Sequence, residues 1–220
     1  MASVPDNDAT VARALIFDFD GVLADSLGLF EASVRAACRE SGAPALADRA
    51  VFLRLFDTNI FAGLQAVGAS AATLPVLIAA LRRQLEARVG DYRLWPGIPA
   101  VLAQLAETSV VVVVTSGISG VVADVLRRYG VVCVRRILGA EEGTGKVAKI
   151  RSIAAQHPGL PLFYIGDTCG DMLEGREAGA QTVAAAWGWH AAARLRATQP
   201  DHLLFTPAEL TELFDQRKRL

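Results

Sequence analysis

The chain has 220 residues, 52% of them hydrophobic and 20% charged, and a formal net charge of −1. There is enough apolar material for a sizeable core, which excludes a globally disordered chain, and no basic excess to make nucleic acid the expected partner. Apolar runs such as Val110–Val114 are far too short to span a bilayer.

Cys38, Cys133 and Cys169 are widely and irregularly spaced with no CxxC pair, a pattern of reduced thiols rather than of a disulfide frame or a zinc site. Residues 1–13 are polar and hold no apolar signal segment, so a soluble cytoplasmic protein is expected. The length suits one large domain, or a core domain plus a smaller one.

In chain order, residues 14–17 (ALIF) form an apolar run without polar alternation, the signature of a strand buried on both faces. Residues 27–41 carry Leu27, Phe30, Val34, Ala37 and Cys38 at helical spacing, with Gly42 as the stop. Residues 48–68 read as helical pieces broken near Asp57-Thr58-Asn59. Residues 74–89 place Leu74, Leu77, Ile78, Leu81, Leu85 and Val89 on one helical stripe. Nothing between 27 and 92 reads as a strand.

From Trp95-Pro96-Gly97 the pattern changes to alternating short apolar runs and amphipathic helices. Helices are expected at 98–107, 119–129, 147–156, 170–178 and 190–198, and from Pro207 to the end. Strands are expected at 110–114, near 131–134, and at 161–166, 182–186 and 202–205. This alternation predicts an α/β fold: a Rossmann-like parallel sheet sandwiched by helices, with an all-helical block inserted after the first strand. The domain division is then 1–26 and 93–220 for the core and 27–92 for the helical insertion.

Four predicted strand ends carry chemistry. The first delivers Asp18 and Asp20 and then Gly21, and two carboxylates at the end of a buried strand ask for a metal ion, for chemistry, or for both. The strand 110–114 runs into Thr115-Ser116-Gly117 and a helix, where hydroxyls and free N–H groups form an anion site as readily as a simple cap. Gly143-Thr144-Gly145-Lys146 precedes another helix without the spacing of a Walker A loop. Gly166-Asp167-Thr168-Cys169-Gly170-Asp171 adds two carboxylates four residues apart. In a parallel sheet these ends share one edge. Hard oxygen ligands there suit Mg²⁺, and the hydroxyls and lysine suit phosphate oxygens.

DFDGVLADS, VVVVTSG, GTGK and IGDTCGD, in that order, resemble the four motifs of haloacid dehalogenase-like phosphohydrolases, the phosphoglycolate phosphatase-like subgroup in particular. WPGI, AGAQTVAAAWGW and PDHLLFTPAEL match those phosphatases more loosely. The resemblance implies a helical cap over the sheet edge and a Mg²⁺-dependent phosphatase acting through an aspartyl-phosphate. Asp18 would be the nucleophile, and Asp20 the acid that protonates the leaving group and then the base that activates water. Thr115, Ser116 and Gly117 would bind the phosphoryl group, and Lys146 would neutralise charge, with Lys149 the rival for that place. Mg²⁺ would be held by Asp18, the Asp20 carbonyl and Asp167, with Asp171 assisting.

Asp20 and the GDxxxD stretch argue against dehalogenase chemistry, and the absence of any lysine before Lys146 against a cap Schiff base. Family phosphomutases often carry a histidine soon after the first motif, where this chain has Phe30. A phosphomutase and a catalytically silent binding module are the alternatives. The expected partner is a small phosphorylated metabolite, bound by a monomer or homodimer. Arg49, Arg54, Asp57 and Asn59, around the break in the helical block, are the candidate specificity residues. His157, His190 and His202 are expected to be surface or structural residues away from the motifs.

Overall fold

The computed structural model describes residues 11–43, 49–58, 60–143 and 145–215. The opening apolar run forms β1 (Arg13–Phe17), whose residues from Ala14 to Phe17 have no solvent exposure. Four helices follow: α1 (Leu27–Ser41), α2 (Arg49–Arg54), α3 (Ile60–Ala66) and α4 (Thr73–Glu86). After them come α5 (Ile98–Ala106), β2 (Ser109–Val114), α6 (Ser119–Arg128), β3 (Arg136–Leu138), α7 (Lys146–Gln156) and β4 (Leu162–Gly166). The chain ends with α8 (Cys169–Glu177), β5 (Gln181–Ala185), α9 (Ala192–Ala197), β6 (His202–Leu204) and α10 (Glu209–Phe214).

The six strands make one sheet in the order β3-β2-β1-β4-β5-β6, and every pairing is parallel. Ile16 of β1 lies between Val112 of β2 and Tyr164 of β4. Because side chains alternate along a strand, β1 feeds two cores. Leu15 and Phe17 join Leu102 of α5, Val125 of α6 and Phe214 of α10, while Ala14 and Ile16 join Ile150 and Ile153 of α7. Helices therefore cover both faces, as the unbroken apolar strands require. The sheet order reverses between β1 and β4, and the C-terminal side of that switch point is where such sheets bind ligands.

Among the described residues, the segment from α1 to α4 contains helices and no strand of the sheet, and α1 packs along α4. The chain leaves for this insertion and returns from it side by side. Asp25 N–H donates to the Arg93 carbonyl at 2.8 Å, Trp95 N–H donates to the Leu23 carbonyl at 2.9 Å, and Ala24 bridges Leu94.

Most sequence-derived boundaries fall within two residues of the observed ones. The exceptions are physical. The run 131–134 is not a strand. Val131 N–H closes the end of α6 on the Leu126 carbonyl and its side chain joins the core, while Val132 is 84% exposed. Pairing with β2 begins only where the backbone reaches its edge, with Arg135 N–H on the Val111 carbonyl and Arg136 opposite Val112. An edge strand needs one lateral partner and little burial, so apolarity misplaces it. The helix expected to run to 89 ends at Glu86, and Val89–Asp91 forms a separate 3₁₀ turn after it.

Candidate active site

Asp18 sits one residue beyond β1, and its backbone N–H extends the ladder to the Ile165 carbonyl of β4 at 2.8 Å. That places its carboxylate at the switch point. Oδ1 accepts the Phe19 N–H at 2.7 Å, and Oδ2 faces Lys146 Nζ at 2.8 Å. Burial, reinforced by Asp171 and Asp20, outweighs Lys146 and pushes the Asp18 carboxyl up to about 7. Asp20 is pushed up to about 6, mainly by burial, although the Ser26 and Tyr92 hydroxyls and Lys146 pull the other way. Its Oδ1 is buried without a hydrogen-bond partner among the described residues.

The strand ends on either side complete the pocket. After β2, Thr115 Oγ1 accepts the Gly117 N–H at 2.9 Å, which folds the Thr115-Ser116-Gly117 turn back on itself. After β4, Asp167 is fully buried; Oδ2 accepts the Trp189 N–H at 2.6 Å, and Oδ1 has no partner among the described residues. Burial, then Asp171 and Asp18, holds its carboxyl well above the usual range. Gly21, with φ +83°, and Gly188 close on this carboxylate so tightly that a Cβ on either would overlap it.

Asp171, in the first turn of α8, is saturated. Lys146 Nζ at 2.6 Å and the Tyr164 hydroxyl at 2.9 Å donate to Oδ1, while the Thr168 hydroxyl at 2.7 Å and the N–H groups of Thr168 and Asp167 donate to Oδ2. Burial works against its charge, but Lys146, Thr168 and Tyr164 outweigh it and hold the carboxyl low. Lys146 is in turn kept charged: burial opposes this, and Asp171 and Asp18 override it.

Lys149 takes a different place. Its ammonium donates to the Thr115 carbonyl at 3.0 Å and braces the end of β2. Of the two lysines, only Lys146 touches Asp18 and lines the pocket.

Asp18, Asp167 and Asp171 each offer an oxygen within 4.8 Å of the others'. Of the four buried carboxylates, only Asp18 and Asp171 contact the Lys146 ammonium, and one oxygen of Asp167 has no partner among the described residues. A hard divalent cation fits both facts, with Asp18 and Asp167 as the carboxylates left to hold it. Asp171 has its oxygens committed to five donors.

Asp18, Asp20, Thr115, Ser116, Gly117, Lys146 and Asp171 line one small pocket of about 30 Å³. Asp167 lies beneath it, behind Gly21 and Gly188. The insertion closes the pocket with Phe30, Phe56, Thr58 and Ile60, and Trp189 completes the wall. None of these five was singled out from the sequence as a site residue. Phe30, Phe52, Phe56 and Trp189 form one aromatic cluster with ring centroids 4.8–6.4 Å apart. A buried cluster of this kind reads as core in the sequence; only its nearness to Asp18 makes it a wall.

Three specificity candidates lie elsewhere, and the fourth, Asn59, is outside the described residues. Arg49, with its side chain 60% exposed, pairs with Glu31 on α1 at 2.7 Å. Arg54 is exposed, and Asp57 pairs with Arg194. None of the three lines the pocket: Arg49 and Asp57 are drawn to Glu31 and Arg194, and Arg54 faces solvent.

His190 also departs from expectation. It is buried against the fourth motif: Nδ1 accepts the Cys169 N–H at 3.0 Å, and Nε2 faces the Leu53 carbonyl at 3.0 Å. With Gly170 N–H on the Phe56 carbonyl at 3.0 Å and the Arg194–Asp57 pair, it ties the α2–α3 connection to the core.

A family model of haloacid dehalogenase-like hydrolases matches residues 15–185, from β1 to β5. The chain is 29% identical over 213 residues to a phosphoglycolate phosphatase of Synechococcus elongatus, covering 94% of this chain and 99% of that protein. Its fold is similar to a haloacid dehalogenase-like family hydrolase of Streptococcus pneumoniae, with TM-score 0.77, 24% identity, and coverage of 94% of this chain and 100% of that one. A predicted phosphatase of Clostridium acetobutylicum aligns with TM-score 0.80 and 18% identity over 92% and 98% of the two chains. The matched span contains Asp18, Thr115 and Asp167 after their strands and Lys146 at the start of α7. The chain belongs to the haloacid dehalogenase-like hydrolase family.

Proposed function

We propose that the protein is a Mg²⁺-dependent phosphatase that hydrolyses a small phosphate monoester through an aspartyl-phosphate on Asp18. The observation that carries this reading is the Asp18 carboxylate, held by Lys146 at 2.8 Å beside the unpartnered Oδ1 of Asp167 and the unpartnered Oδ1 of Asp20. The likeness to a named phosphoglycolate phosphatase over nearly the whole chain supports it.

Asp18 and Asp167 would hold Mg²⁺, with Asp171 anchoring Lys146 and the turn after β4. The bound cation supplies charge neutralisation between an anionic ester and an anionic nucleophile. The remaining steps belong to the chain's own side chains. A carboxylate oxygen of Asp18 attacks phosphorus, the bond to the leaving oxygen breaks, and protonated Asp20 gives its proton to that oxygen. Its raised pKa keeps a proton available for the transfer. Asp20, now ionised, then takes a proton from water, which attacks phosphorus and releases phosphate and the Asp18 carboxylate. The Thr115 hydroxyl, whose oxygen already accepts from Gly117, has its hydrogen free for a phosphoryl oxygen. Lys146 stabilises the charge spread over Asp18 and the transferring group.

The helices between Ser26 and Arg93 are read as a cap domain that opens and closes on the paired segments at Ala24 and Leu94. Phosphate release from an aryl phosphate, with Mg²⁺ and then with EDTA, tests the function. Activity abolished by EDTA and restored by excess Mg²⁺ is expected. No metal-dependent turnover of an aryl phosphate or of a metabolite phosphate panel refutes the reading.

A further inference from the structure

Beside the catalytic pocket lies a second chamber of about 180 Å³ that shares Phe30, Ile60, Ser116 and Gly117 with it. Its wall is built by α1, α3 and α4 through Phe30, Ile60, Leu64, Leu77, Leu81 and Leu85, facing Ile118 and Ala140 of the core. The only charged members among the described residues are Arg82 and Glu141. They do not offer a free cation: Arg82 pairs with Glu86 at 2.9 Å and lies 4.0 Å from Glu141. Among the described residues, the catalytic pocket itself receives only Thr58 as a polar side chain from the insertion.

An ester anchored by its phosphate at Ser116 and Gly117 can direct its organic group into this chamber. A carboxylate placed there would lose its hydration against leucine and phenylalanine with no described basic side chain free to meet it. An apolar group would recover dispersion contacts that an empty apolar chamber forgoes. The size is adequate, since an engineered apolar cavity of about 150 Å³ binds benzene.

We infer that the chamber between α1, α3, α4 and the loop after β2 receives the organic group of the substrate. The substrate is then the phosphate monoester of a neutral, mainly apolar alcohol or phenol of about six carbons, rather than of a hydroxy acid. This inference rests on the phosphatase reading above and narrows it.

The test is a series of n-alkyl phosphates from methyl to hexyl, with phenyl phosphate and 2-phosphoglycolate, assayed by phosphate release with Mg²⁺. Each methylene that enters the chamber is expected to raise kcat/KM by about fourfold, and phenyl and hexyl phosphate to exceed 2-phosphoglycolate at least tenfold. Leu81→Trp, which fills the chamber from α4, should lower hexyl phosphate turnover at least tenfold and by a larger factor than it lowers methyl phosphate turnover. Ile78→Trp serves if that variant does not fold. A flat series, 2-phosphoglycolate as the best ester, or an equal loss on every ester overturns the inference. Calorimetry with hexylphosphonate, methylphosphonate and phosphonoacetate in Mg²⁺ separates it from the phosphatase reading. If no ester turns over, that reading fails, while the chamber stands when hexylphosphonate binds most tightly and Leu81→Trp weakens it, and falls when the three bind alike.

Discussion

Asp167 and Asp171 come from one hexapeptide turn, yet Asp171 is saturated by five donors and Asp167 keeps one oxygen bare. The sequence shows both as acids four residues apart and has no means of dividing their work, because the division depends on Lys146 and Tyr164 arriving from other elements. Asp18→Asn, which keeps the shape and removes the nucleophile, is expected to lower phosphatase activity by at least about a thousandfold, with an unchanged circular dichroism spectrum. Retained activity would move the nucleophile elsewhere. The lysines separate in the same way. Lys146→Met is expected to cost at least about a hundredfold in kcat, because it uncovers two carboxylates. Lys149→Met, which loses a brace on the Thr115 carbonyl, should cost no more than about tenfold. Equal losses would put both in the chemistry. The preference for Lys146 was legible as loop position alone; its two ion pairs were not.

At the scale of elements, the insertion meets the core along the connection between α2 and α3. Gly170 approaches that connection so closely that a Cβ would overlap the Thr58 carbonyl. Gly170→Ala is therefore expected to push Phe56 and Thr58 out of the pocket wall and lower kcat/KM at least about tenfold, with Mg²⁺ binding intact by calorimetry. An unchanged kcat/KM would show that this wall does not touch substrate. Within the insertion, Glu31 on α1 gathers Arg35 and Arg49 at 2.9 and 2.7 Å. Burial opposes its charge, and the two guanidiniums outweigh that and hold its carboxyl below the usual glutamate value. A lowered folded-state pKa stabilises above the unfolded value and loses that contribution as pH falls through the folded one. Glu31→Gln should thus lower stability by about 1 kcal/mol near pH 7 and by less near pH 3 in urea titrations. A difference that does not shrink on acidification would contradict the pairing. Helix positions in this region were readable from apolar spacing. Which charged residues meet substrate was not, since Arg49 and Asp57 turn to Glu31 and Arg194 rather than inward.

For the whole molecule, a cation held at the bare Asp167 oxygen, as the proposed function requires, would tie metal binding to global stability. A ligand that binds only the folded state stabilises it by about 2.7 kcal/mol at a hundred times its Kd, so millimolar Mg²⁺ is expected to raise Tm measurably. Asp167→Asn should abolish that rise and leave the metal-free protein at least as stable as the wild type, because a carboxyl whose charged form burial disfavours gives way to a neutral amide of the same shape. A Mg²⁺-induced shift that survives the substitution would place the cation elsewhere. The amino-acid sequence by itself determined the parallel sheet, since unbroken apolar strands alternating with amphipathic helices can bury themselves only between two helical layers. It also determined that Asp18, Thr115 and Asp167 meet, because parallel strands deliver their C-terminal ends to one edge, with Lys146 opening the helix that follows β3. Only the tertiary structure decided the edge pairing of β3, the separate duties of the acids and lysines, and the apolar lining given by the inserted helices. Those depend on contacts between residues far apart in the chain, whose local patterns are the same whether a side chain faces core, solvent or substrate.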